Sequence, residues 1–140
     1  INAVRDSRSC IAVLSAHQAL TTMDMALIRL IAHRQSREII IFVNRIDELP
    51  DPANQVPEIH RSILDTLEKN NAPQDIDIIY GSAHWANAVL EGKIDEMTDD
   101  STESAINWTR AAFADKMDSW SAEQLVWHAS GVPALLESLG

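Results

Sequence analysis

Cysteine is almost absent: Cys10 is the only one in 140 residues. An internal disulfide is therefore excluded, and a lone thiol inside an apolar stretch suits a reducing compartment. Basic residues are few, 11 Lys and Arg against 21 Asp and Glu, for a formal charge of −10. Such a chain repels phosphate backbones and anionic lipid, which excludes generic nucleic-acid binding and disfavours membrane surfaces. No apolar run is longer than Ile39 to Val43, too short for a bilayer. Glycine occurs only at Gly81, Gly92, Gly131 and Gly140. A G-x-x-x-x-G-K-[ST] loop is therefore missing, because the single Gly92-Lys93 pair has Asn87 at the first glycine position and Ile94 at the hydroxyl position. A D-x-x-G switch is missing too, since Ile78, Val89, His128 and Glu137 stand three residues before the glycines. No signal peptide is present, and the opening Ile-Asn-Ala-Val reads as the start of an excised piece.

Other chemistry is thinly supported. His17, His33, His60, His84 and His128 are scattered without metal-type spacing. The acidic stretch Asp95 to Glu103 lacks the glycine and ligand spacing of a calcium loop and reads as a solvated linker. Ser82 has no G-x-S-x-G elbow around it. Trp85, Trp108, Trp120 and Trp127 read as packing residues, and Cys10 as an inert core residue.

Hydrophobic residues make up 46%, enough for a globular core. Cys10 to Leu14, Ile39 to Val43 and Ile76 to Tyr80 are continuous, strand-length and non-alternating, as expected of parallel strands covered on both faces. The spacers read as helices. Thr21 with Asp24 makes a capping box ahead of Met23, Leu27, Leu30 and Ile31 on one face. Pro57 sits near the start of a helix carrying Ile59, Ile63, Leu64 and Leu67, which Asn70-Asn71-Ala72-Pro73 stops. Ala83 to Glu91 reads as a short helix, Ile106 to Met117 as a longer one, and Ser121 with Gln124 caps another that ends at Gly131. Pro133 opens a last helix through Leu139. The fold expected is α/β, a three-layer parallel sheet with helices on both faces plus C-terminal helices, in one domain spanning 1–140. Two right-handed crossovers put the first two helices on one face, leaving Ile106 to Met117 and Pro133 to Leu139 to cover the other.

Two segments carry the functional signal. Asn44-Arg45-Ile46-Asp47 follows the strand Ile39 to Val43, and Gly81-Ser82-Ala83 follows the strand Ile76 to Tyr80. Polar side chains at the carboxyl ends of adjacent parallel strands lie where open α/β sheets bind ligands. Taken alone, an Asn-Arg-x-Asp also reads as an Asx turn ending a strand.

Together the two segments resemble the guanine-recognition elements of P-loop GTPases, the Asn-Lys-x-Asp motif and the Ser-Ala loop, with Arg45 in place of the Lys. The resemblance implies that Asp47 accepts from guanine N1–H and the 2-amino group and that Asn44 faces the N7 side. The Ala83 N–H would donate to the guanine carbonyl, Ser82 would close the pocket, and the Arg45 stem would lie over the base. Ala12-Val13-Leu14-Ser15-Ala16, Gln18-Ala19-Leu20-Thr21 and Trp127 through Leu136 resemble the corresponding flanks of bacterial dynamin-like GTPases. The resemblance covers most of 1–91 and 127–140, and 92–126 reads as a helical insertion.

By that resemblance the chain is the C-terminal part of a GTPase domain lacking its phosphate loop, with a partial P-loop fold. It has no catalytic residues of its own. GTP or GDP binding and hydrolysis would belong to the parent, with Mg²⁺ held by residues outside this chain. The expected location is cytoplasmic, with peripheral membrane contact implied by the family alone. Lacking the strand that leads into the phosphate loop, Cys10 to Leu14 would leave an open edge that favours self-association, unless residues 1–9 cover it. The rival reading is a flavodoxin-like or degenerate GTPase-like interaction module without catalysis.

Overall fold

The computed structural model describes residues 9–18, 20–32, 38–72 and 76–139. Three strands, β1 (Ser9–Ser15), β2 (Glu38–Asn44) and β3 (Asp77–Tyr80), form a parallel sheet in the order β1-β2-β3. The register places Val13 beside Phe42 and Phe42 beside Ile79. The protein is therefore α/β with successive parallel crossovers. Of the segment proposed to cover the β1 edge, only Ser9 is described, as the first residue of β1 itself; residues 1–8 lie outside the described residues.

Helices α1 (Thr22–Ala32) and α2 (Pro52–Lys69) occupy one face. Met25, Ile28, Ile63 and Leu67 pack there on Leu14, Ile39, Ile41 and Val43. The capping box at the start of α1 is formed, with the Thr21 N–H donating to Asp24 Oδ2 at 3.0 Å and the Asp24 N–H to Thr21 Oγ1 at 3.1 Å. Of the expected stripe only Met23 can be placed, and it does not face the core. Met23 is 77% exposed, and Met25 and Ile28 point inward instead. The side chains of Cys10, Leu27, Leu30 and Ile31 lie outside the described residues. Helix α2 also starts earlier than expected: Pro52 holds its first turn, and Pro57 falls inside the helix. A proline tolerates the first position because no helical carbonyl awaits its missing N–H. The helix stops at Asn70 and Asn71, the latter with a positive φ of 55°, and the Ala72 N–H donates to the Leu67 carbonyl at 2.9 Å.

On the opposite face Ile40 and Phe42 are buried. Helix α6 (Val132–Leu139) lies on this side, since Ser138 Oγ donates at 2.7 Å to Asp77 Oδ2 and Asp77 shares the face of Ile40. Ile11 and Val13, on the same face towards the β1 edge, remain 41% and 64% exposed. The C-terminal helix expected at Ile106 to Met117 does not join this layer. As α4 it runs Asp99–Ala112, packs on α2 and on the Ile46–Glu48 turn, and so sits beyond the carboxyl ends of the strands. The acidic stretch is thus the start of a helix rather than a linker. Thr98 Oγ1 accepts from the Ser101 N–H at 3.1 Å, and Asp99 and Asp100 lie in the first turn, where carboxylates favour the helix dipole.

Around α4 a second core forms from Ile46, Leu49, Val56, Trp85, Ala105, Val126 and Ala129. It joins α3 (Ala83–Leu90), α4 and α5 (Ala122–Ala129), and α5 begins with the expected Ser121–Gln124 capping box. Trp85 is fully buried there, whereas Trp120 lies outside both cores, stacked on His128 at 4.1 Å. Among the described residues no helix is long and apolar enough to cross a membrane.

The passage from β3 to α3 leaves no space at Gly81, where a Cβ would stand 2.0 Å from the Ser130 carbonyl oxygen and 2.8 Å from the Phe42 ring. Gly81→Ala is expected to destabilise the fold by about 3 kcal/mol, at the upper end of overpacking costs, because a backbone carbonyl cannot move aside. Gly92→Ala, with φ +67° but open space around it, should cost about 1 kcal/mol from backbone strain alone. Urea unfolding of the two variants measures the difference, and equal costs would mean that the Gly81 contact is relaxed in solution.

Candidate functional site

β2 ends at Asn44, and its direction is reversed immediately by Arg45, whose φ of 73° and ψ of 27° place a non-glycine residue in the left-handed region. Asn44 supports that turn, its Oδ1 accepting from the Arg45 N–H at 2.8 Å. Ile46–Glu48 then forms a single 3₁₀ turn, with Ile46 fully buried. The β3 side approaches through its backbone: the Gly81 N–H donates to the Val43 carbonyl at 3.0 Å, and the Ile46 N–H to the Gly81 carbonyl at 3.2 Å. The sheet ladder thereby continues past the last β3 residue into the two loops.

Side chains close the junction. Ser82 caps α3, its hydroxyl accepting from the Trp85 N–H at 3.2 Å and donating to Asp47 Oδ1 at 2.7 Å. The Ala83 N–H donates to Asn44 Oδ1 at 2.9 Å. Asn44, Asp47, Ser82 and Ala83 are thus assembled at one place, joined across 35 and 39 residues of sequence. Ser82 is fully buried, Asp47 and Asn44 are half-buried, and Ala83 is exposed. Asp47 Oδ2 has no hydrogen-bond partner among the described residues.

Arg45, whose stem was expected to cover a base, has a partner of its own in the chain. Its guanidinium is paired with Glu48, through Nε to Oε2 and through the terminal nitrogen to Oε1 at 2.9 Å. That hydrogen bonding raises the Arg45 pKa and, from the other side, holds the Glu48 carboxyl below its ordinary range. His17, from the loop after β1, reaches the same carboxylate at 4.0 Å. The Ala83 N–H, expected to face a guanine carbonyl, is likewise already bonded to Asn44. A cavity of about 250 Å³ lies nearby along α2, lined by Ser15, His17, Val43, Ile59 and Ser62 among others. None of Asn44, Asp47, Ser82 and Ala83 lines it, so it is separate from this junction.

Residues that the sequence analysis left aside support the site from beneath. Trp85 Nε1 donates to Ser101 Oγ at 2.9 Å, and Ser104 Oγ to the Ile46 carbonyl at 3.1 Å. Asn107 Nδ2 donates to Asp51 Oδ1 at 3.0 Å, while its Oδ1 accepts from the Ala53 N–H at 2.8 Å. Hydrogen bonds from Asn54 and Asn107 keep the Asp51 carboxyl below its usual range. The signal for these residues was the polar spacing Ser101, Ser104, Asn107 on one helical face. Behind the site the Tyr80 hydroxyl contacts His60 Nδ1 at 2.8 Å, and burial pushes its pKa up, so it stays neutral. Among the described residues no group of three or more His, Cys, Asp or Glu side chains could hold a metal ion.

The fold and the site define an α/β protein with a polar junction at the carboxyl ends of two adjacent parallel strands. No family model matches the chain, and no curated protein matches it.

Ser82→Ala is expected to cost about 1–3 kcal/mol, because the half-buried Asp47 carboxylate and the buried Trp85 N–H lose their shared partner. Urea unfolding checks this, and a neutral substitution would show that the junction is held by its backbone bonds alone.

Proposed function

We propose that the chain is the base-recognition portion of a guanine-nucleotide-binding domain of the P-loop GTPase class. The observation that carries this reading is the Ser82 hydroxyl on Asp47 Oδ1, which orients the carboxylate while Oδ2 has no hydrogen-bond partner among the described residues. A carboxylate held this way accepts two parallel N–H donors, the pattern of guanine N1–H and its 2-amino group, and adenine offers neither. In this reading Asn44 stands at the N7 side and hands the Ala83 N–H to the base carbonyl. Arg45 leaves Glu48 to lie over the base, and Ser82 closes the pocket. GTP and GDP are the ligands, while phosphate and Mg²⁺ binding, and hydrolysis with them, fall to residues other than these 140. A dynamin-like subfamily, a cytoplasmic setting and peripheral membrane contact rest on the flanking segments 12–16, 18–21 and 127–136 alone.

One observation favours the rival reading of a GTPase-like or flavodoxin-like interaction module. The Ala83 N–H and the Arg45 guanidinium already have partners within the chain, so these two groups need no ligand. The two readings separate on nucleotide binding by the full-length gene product. GDP should bind tighter than ADP by about 10⁴-fold, since adenine leaves the carboxylate facing a lone pair. Asp47→Asn should move the preference towards XDP, whose O2 accepts from the new amide. Equal GDP and ADP affinities overturn the guanine assignment, and no binding of either selects the module.

The same reading makes a second copy the partner of the β1 edge. Among the described residues β1 pairs only with β2, and Ile11 and Val13 are exposed beside that open edge. Cys10 to Leu14 carries no charge or proline to discourage pairing. The 140-residue chain should therefore sediment as a dimer or larger at micromolar concentration. A monomer whose Cys10 to Leu14 amides exchange slowly would place the cover within the chain.

A further inference from the structure

The stretch 92–126 resembles nothing in the GTPase elements, yet α4 within it packs on the turn after β2 and bonds Trp85 in the first turn of α3. Ser104 is 1% exposed and its hydroxyl reaches the carbonyl of Ile46, the residue between Arg45 and Asp47. One turn further, Asn107 clamps the segment that follows, bonding Asp51 through its amide nitrogen and Ala53 through its amide oxygen. One turn earlier, Ser101 is 6% exposed and accepts from the indole of Trp85, itself fully buried three residues after Ser82. Three polar side chains at successive helical turns thus bind the turn after β2, the start of α2 and the first turn of α3, across 16 to 58 residues of sequence.

The bond at Ile46 matters most. The 45–48 turn is short, it begins at a left-handed non-glycine residue, and its internal backbone bonds are only Glu48 N–H to Arg45 carbonyl and Leu49 N–H to Ile46 carbonyl. A strained turn of this kind persists where its surroundings over-determine it. Ser104 supplies that restraint at the residue before Asp47, and Asn107 holds the chain as it leaves the turn.

We propose that α4 is the positioning element of the base-recognition turn, with Ser104 setting the direction of the Asp47 carboxylate and Ser101 setting the height of the Ser82–Ala83 loop through Trp85. The link to nucleotide selectivity rests on the guanine reading above; the link to turn geometry does not. Selectivity would then be decided partly by residues that touch no ligand, because a carboxylate reads two donors only when both oxygens lie in the plane of the base.

The test uses the full-length gene product with Ser104→Ala and, as a control, Thr109→Val. Thr109 is also fully buried on α4, but its hydroxyl bonds only carbonyls of its own helix, at Ala105 and Ile106. Amide exchange without nucleotide reads the turn, and the ratio of GDP to XDP affinity reads the carboxylate. Ser104→Ala should speed exchange at 45–49 and lower the GDP to XDP ratio, each by about tenfold, the scale of one lost buried hydrogen bond. Thr109→Val should change neither. Unchanged exchange at 45–49, an unchanged ratio in a nucleotide-binding protein, or equal effects of both variants would overturn the proposal. If the wild-type protein binds no guanine nucleotide, the guanine reading falls, and the exchange comparison still decides the positioning role.

Discussion

Ser82 is completely buried, so its hydroxyl and its N–H must both find partners inside the protein. The hydroxyl donates to Asp47 and accepts from the Trp85 N–H, and the Ser82 N–H donates to the Ser130 carbonyl at 2.9 Å. One residue therefore fixes the turn after β2, the start of α3 and the end of α5. The Gly81 backbone makes this possible by lying against Ser130 with no room for a side chain. If this junction loosened, the second core would lose its link to the sheet.

That core explains why the protein extends beyond its sheet. Four residues of β3 and seven each of β1 and β2 bury one face well under α1 and α2, but they are too few to enclose Trp85, Trp108 and Tyr80. α4 and α5 supply the missing layer at the strand ends, where apolar burial dominates the gain in stability. Because α4 packs where the turn after β2 and the starts of α2 and α3 meet, polar groups of these segments need partners there. Ser101, Ser104 and Asn107 meet that need, and no buried side-chain polar atom among the described residues is left unsatisfied.

The strands and the order of elements were legible because buried parallel strands leave continuous apolar runs, as at Ile39 to Val43. Capping boxes at Thr21–Asp24 and Ser121–Gln124 were legible because three-residue hydrogen-bonded pairs are local. Helix phase was harder: the choice of Met25 and Ile28 over Met23 depends on how α1 leaves the sheet, which periodicity does not contain. The acidic stretch misled because Asp99 and Asp100 resemble a solvated run, while the capping role of Thr98 shows only once the helix exists. Asn44, Asp47, Ser82 and Ala83 were singled out from their positions after two strands. The state of Arg45, turned to Glu48, was not visible in a motif that says nothing about rotamers.

The sequence by itself determined the α/β class, the parallel crossovers and the two polar segments, because strand runs, caps and loop residues are properties of short contiguous stretches. Tertiary structure alone decided that α4 packs on the turn after β2, that α6 and not α4 reaches the second sheet face, and that Ser82 holds one oxygen of Asp47. These outcomes depend on pairs such as Ser104 with Ile46 and Ser82 with Asp47, separated by 58 and 35 residues. Which distant groups meet is settled by how buried surfaces fit and how buried polar atoms are satisfied, and neither condition is written in any local pattern.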